Sequence, residues 1–155
     1  MFHRIQQFDA LHVRGARTVA QGLRSSEGLA LLNGFEFDLR HTVANYFLVG
    51  YSFLPEVGAL VLNAFDSSAI PFPVKSDKAR LRFRLLRMDF ECLEFQLSEE
   101  REITFGRNES IPAATLLTAI PLGSGPLIGV LSLTYYQEVS EQLVPLQERG
   151  LRLLV

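Results

Sequence analysis

The sequence has one cysteine, no tryptophan and little net charge. A lone Cys92 excludes an internal disulfide and every cysteine-pair metal motif, and it suits a reducing compartment. With 15 Lys+Arg against 17 Asp+Glu, the formal net charge is −2. The long-range attraction used by general nucleic-acid binders is therefore missing. No apolar run approaches the ~18 residues of a membrane span; Leu116 to Leu122 is broken by Thr118 and Pro121. Met1 to Gln7 carry no apolar signal-peptide core, which predicts a cytoplasmic protein. His3 and His12 fall on opposite faces of a predicted helix, and His41 lies apart beside Asp38 and Arg40. That spacing holds no metal ion, and neither a metal nor a cofactor is expected.

What is present is a chain apolar enough to fold. Of its 155 residues 48% are hydrophobic, which excludes disorder and at this length supplies a core without staples. Two textures meet at Gly34. Before it, Phe2, Ile5, Phe8 and Leu11 recur every three residues and predict an amphipathic helix. Thr18 to Leu23 predicts a second helical stretch. Ser25 or Ser26 is placed to cap a third over Glu27 to Leu32, which Asn33-Gly34 would end. Gly22 and Gly28 each cost these helices about 1 kcal/mol relative to alanine, so they need packing against the rest of the fold. The division is a helical segment over residues 1–34 and a β domain over 35–155.

After Gly34 the period changes to two. Phe35-Glu36-Phe37-Asp38-Leu39 and Arg80 to Leu85 alternate as half-buried strands do. Leu81, Phe83 and Leu85 then give way to Leu86, Met88, Phe90 and Cys92, an apolar face of opposite parity. This phase slip predicts a bulge or corner at Leu85-Leu86, with Cys92 buried and inert. A second change at Cys92-Leu93 starts another strand through Leu97. Further strands are expected at Tyr46 to Phe53, Gly58 to Phe65, Glu102 to Phe105, Ala114 to Ile120, Leu127 to Val139 and Gly150 to Val155, with Ser140-Glu141 turning a closing hairpin into Leu143-Val144-Pro145. Short strands punctuated by proline and glycine predict a mainly β fold: an antiparallel sandwich, Ig-like or jelly-roll-like, after the helical segment.

Three stretches carry a resemblance: Leu31-Leu32-Asn33-Gly34-Phe35-Glu36-Phe37-Asp38; Ala79-Arg80-Leu81-Arg82-Phe83 with Asp89-Phe90-Glu91; and Tyr135-Tyr136-Gln137-Glu138-Val139 with Pro145-Leu146. Together they resemble the C-terminal, β-rich half of an uncharacterised family of Bacteroidetes-type bacterial proteins. The resemblance implies a junction near Arg14 to Val19 and no activity, cofactor or catalytic residue.

Several residue groups are candidates for chemistry. Arg80, Arg82 and Arg84 share one strand face at steps of about 6.6–6.8 Å, a spacing that suits a phosphate track. Paired instead with Glu99, Glu100 or Glu102, they make a solvated face. Tyr46, Tyr51, Tyr135 and Tyr136 would supply stacking faces to a carbohydrate-binding module, without the tryptophan that stacks best. Asp89 and Glu91 lie on one strand face about 7 Å apart and could serve a hydrolase as acid and base. Gly123-Ser124-Gly125 lies between Pro121 and Pro126 and reads as a loop, not a nucleophile elbow. The Phe2, Ile5, Phe8 and Leu11 stripe needs cover, either from the sandwich itself or from a second copy of the chain. The leading expectation is a non-catalytic protein-interaction or assembly module with a protein partner, either another protein or a second copy of itself in a homo-oligomer. The alternatives are a carbohydrate-binding module and a carboxylate-dependent hydrolase.

Overall fold

Three long alternating stretches build the main sheet. The computed structural model describes residues 1–155, with side chains described outside 147–149. Four short helices come first: α1 (Phe2–Gln6), α2 (Val19–Gly22), α3 (Ser26–Ala30) and α4 (Val43–Tyr46). Ten strands follow: β1 (Tyr51–Leu54), β2 (Ala59–Leu62), β3 (Phe65–Asp66), β4 (Lys78–Asp89), β5 (Glu94–Leu97), β6 (Arg101–Gly106), β7 (Ser110–Ile111), β8 (Ala114–Leu117), β9 (Leu127–Val139) and β10 (Gln142–Leu154). Strand exceeds helix by 41% to 14%, which makes the fold mainly β.

Every pairing is antiparallel. The main sheet runs β10-β9-β4-β5, with β6 also alongside β4; a smaller sheet runs β1-β2-β8, and β3 and β7 form a ribbon. Ala79, Leu81, Phe83 and Leu85 of β4 are fully buried and stand opposite Tyr135, Leu133, Leu131 and Gly129 of β9. They share one core with Leu60, Leu62 and Leu116 of the smaller sheet. Each such leucine or phenylalanine contributes about 1.5–3 kcal/mol by leaving water. At the seam between the sheets Arg101 Nε donates to the Leu117 carbonyl at 2.8 Å and Thr118 Oγ1 to the Glu99 carbonyl at 3.0 Å. The sheets thus curve together as a half-barrel.

The other face of the main sheet has a second core at one end. Ile5, Leu23 and Leu32 of the helical segment pack there with Ile128 and Leu153, and Leu86 and Val130 border them. Gly22 and Gly28 are what this packing requires: a Cβ at Gly22 would overlap the Ile5 carbonyl, and one at Gly28 the Gly22 carbonyl. Thr18 and Ser25 cap α2 and α3 through their hydroxyls.

This second core corrects the expected bulge. β4 is unbroken at Leu85-Leu86, and its register with β9 runs without a shift from Lys78↔Tyr136 to Arg87↔Leu127. The apolar parity changes because a second layer covers the opposite face from Leu86 onward. The irregularity sits on the neighbouring chain, where the four steps from Leu97 to Arg101 face the three from Leu86 to Phe83. The Cys92 expectation is corrected too. β4 ends at Asp89, whose Oδ1 accepts from the Glu91 and Cys92 amides, and in the turn that follows Cys92 is exposed.

Other expectations shift. Phe35 to Leu39 forms no strand of its own; it follows the edge of β10 through one bridge, Glu36↔Arg152, with Leu153 N donating to the Phe35 carbonyl and Phe37 N to that of Leu151. Tyr46 closes α4 instead of opening a strand. The N-terminal helix stops at Gln6. Asp9, buried beyond it, gathers the amides of Leu11, His12 and Thr18 into a loop. Of the apolar stripe Ile5 alone is buried, while Phe2, Phe8 and Leu11 are 59%, 38% and 74% exposed. The closing hairpin forms as expected, with Val139 opposite Gln142.

Candidate functional site

The structure brings Arg80, Arg82, Arg84 and Tyr136 together on the half of the main sheet that the helical segment leaves open. Cross-strand pairing sets Arg80 beside Thr104 and Thr134, and Arg82 beside Glu102 and Ser132. The guanidinium groups are taken up locally. Arg84 lies 3.0 Å from Glu100; Arg82 lies 3.4 Å from Glu100 and 3.3 Å from Glu102; Arg80 lies 3.6 Å from Glu102. Arg80 also donates to Thr104 Oγ1 at 3.0 Å. Burial works against the Arg82 charge, but the Tyr136 hydroxyl and the two carboxylates more than restore it and raise its pKa. Three cations against two anions leave little free charge for a phosphate track.

Tyr135 and Tyr136 offer no open ring face, while Tyr46 and Tyr51 are half-buried. Tyr136 is 6% exposed and lies beneath Arg80 and Arg82, whose guanidinium carbons are 5.0 and 5.9 Å from its ring centre. Tyr135, expected as a surface binding residue, is 1% exposed because it points into the first core. There its hydroxyl donates to the Pro71 carbonyl, and burial pushes its pKa up. Tyr46 packs edge-on against Tyr135, and Tyr51 lies at a tilt to Phe47.

Asp89 and Glu91 are engaged separately. The Ser124 hydroxyl, then the Glu91 and Cys92 amides, hold the Asp89 carboxyl down at about 2 against a smaller effect of burial. A general acid needs the opposite shift. Glu91 pairs with Gln21 and with Arg24 at 3.1 Å, tying the turn to the helical segment. Two aspartates each hold a histidine three residues on: Asp9 accepts from His12 Nδ1 at 2.8 Å, and Asp38 contacts His41 Nδ1 at 3.1 Å. Among the described residues, no group of three His, Cys, Asp or Glu side chains is placed to hold a metal ion.

Among the described residues, the β4–β5 hairpin presents a surface not occupied by its own neighbours. β5 pairs with β4 alone among the described residues, and all four of its residues are exposed. Ser98 N donates to the Leu85 carbonyl. By the alternation of an antiparallel ladder, Gln96 and Glu94 also turn their backbone groups inward, and Phe95 and Leu97 turn theirs to the open edge. Leu93, Phe95 and Leu97 are 70%, 61% and 48% exposed. Beside them an open cleft of about 440 Å³ is lined by Arg87, Asp89, Leu93, Glu94, Leu122 and Ser124, among others.

The alternation of Leu93, Phe95 and Leu97 was visible in the sequence, but period two reads alike for a central strand and an edge strand. Asp9 left no periodic signal; an aspartate before the break at Gly15 is compatible with a helix or a loop.

No helix is long and apolar enough to cross a membrane. The chain matches no family model, no curated protein and no solved structure.

Proposed function

We propose that this is a cytoplasmic, non-catalytic protein-interaction module, in which the main and smaller sheets form a sandwich scaffold and the open edge of β5 is the contact surface. The observation that carries the reading is the free edge itself: a strand exposed at every residue, with two outward backbone positions and the apolar side chains of Phe95 and Leu97. Natural sheets normally cover, twist or charge such an edge, and an edge left open is a template for a further strand. Arg80, Arg82 and Arg84, by contrast, are paired with Glu100 and Glu102 of their own chain, which supports a scaffold role for them.

The test is selection from a random extended-peptide library against the wild type and against Phe95→Pro. Proline removes an outward N–H that β4 does not use, so the ladder is kept. The expected result is enriched peptides that lose at least tenfold in affinity for Phe95→Pro, with circular dichroism unchanged. Enriched peptides that bind both proteins equally would overturn the reading.

A second copy of the chain is the reading for the N-terminal side, where Phe2 and Leu11 stay largely exposed although Ile5 is buried. Phe2→Asp with Phe8→Asp should then convert an oligomer to monomers in light scattering. A monomeric wild type at tens of micromolar would end that reading.

A further inference from the structure

We infer that the segment accepted by the β5 edge is an extended chain in which apolar and basic residues alternate. The inference rests on the edge reading above and adds the chemistry of the partner. The register of the hairpin sets Phe95 and Leu97 opposite Met88 and Leu86 on one face of the sheet, and Glu94 and Gln96 opposite Asp89 and Arg87 on the other. A strand laid along the open edge, at the usual spacing of about 4.8 Å, points alternate side chains to these same two faces. One set meets Phe95 and Leu97, and the other meets the side of the cleft.

That second face carries two carboxylates, Glu94 and Asp89, against one guanidinium, Arg87, and neither carboxylate is paired with a cation among the described residues. Among the described residues Glu94 takes part in no ion pair, and Asp89 is held by amides and the Ser124 hydroxyl with no cation on it. The low pKa of Asp89 keeps it ionised. Arg87, the one cation lining the cleft, is directed to the carbonyls of Pro121 and Gly125. Nearby Glu91 and Glu99 have their own arginines, Arg24 and Arg101. A lysine or arginine from an added strand would meet Glu94 and Asp89 beside the open cleft, where unlike charges select the partner. A second copy of β5 contributes Glu94 again and no basic residue, so like charge opposes self-pairing at this edge.

The experiment uses two synthetic heptapeptides, alternating leucine with lysine or leucine with glutamate, titrated into the full chain by fluorescence anisotropy. The lysine peptide is expected to bind at least tenfold more tightly and to slow amide exchange at Phe95 and Leu97. Glu94→Lys should abolish or reverse that preference, whereas Glu141→Lys, on the distant β9–β10 turn, should leave it intact. Equal binding of the two peptides, or a preference unchanged in Glu94→Lys, would overturn the inferred chemistry while leaving the edge as a docking site. Binding of neither peptide, or dimerisation protecting Phe95 and Leu97 without peptide, would overturn both.

Discussion

Arg82 Nη2 donates to the Tyr136 hydroxyl at 2.6 Å, so the tyrosine ring and its polar tip are both used from within the sheet. Tyr136→Phe should cost about 1.5–3 kcal/mol, the net worth of a partly buried hydrogen bond to a charged donor. Urea denaturation measures it. The same geometry predicts that the arginine face is neutralised, not absent. Glu100→Gln with Glu102→Gln should therefore raise the salt concentration at which the protein elutes from heparin, and the wild type should elute early.

Gly22→Ala should go against the usual helix rule. Alanine ordinarily favours a helix over glycine by about 1 kcal/mol. Here the new methyl would strike the Ile5 carbonyl, a backbone atom, and the expected outcome is a loss of about 1–3 kcal/mol in equilibrium unfolding. A gain in stability would show that α1 and α2 are farther apart than described.

The β9–β10 turn places Ser140 at φ 50° and Glu141 at φ 65°, the two left-handed positions of a tight hairpin turn that asparagine and glycine fill best. Ser140→Asn with Glu141→Gly should stabilise the protein by about 1 kcal/mol. A melting curve that shifts downward instead would rule out this turn type.

Acid should unfold the protein through its aspartates. Burial of Asp9 favours the neutral form, but the Thr18 amide, the His12 ring and amide and the Leu11 amide outweigh it and lower the pKa. Asp38, mainly through the Arg40 amide and His41, and Asp89 lie at about 2, against an ordinary value of 3.8. A lowered folded-state pKa contributes stability that is full above the unfolded value and lost as the pH falls through the folded one. Melting temperature should hardly depend on these groups above about pH 5 and should fall between about pH 4 and 2. Asp9→Asn should lower it at neutral pH and flatten that fall.

The strands were legible where one rule governed them. Leu127 to Val139 appears at the expected bounds because β9 is central, and Ser25, one of the two serines expected to cap α3, does so because its hydroxyl reaches the third amide onward. The errors share one cause. Leu86 and Cys92 were assigned from a single apolar face, whereas the opposite face has its own cover and the strand stops at Asp89. Period alone does not say how many layers a strand meets, or where a side-chain acceptor such as Asp9 or Asp89 ends an element. The arginine pairing with Glu100 and Glu102 followed from strand geometry; the free edge of β5 did not, since strand order is a property of distant segments.

Ile5 is buried against Ile128 and Leu153, which follow it by more than 120 residues. During synthesis the helical segment emerges long before β9 and β10 exist to receive it. Contacts of such long sequence separation form slowly, so these apolar residues wait unsheltered until β9 and β10 have been made. The second core is thus assembled only once β10 has left the ribosome, because that strand is the one that admits α1.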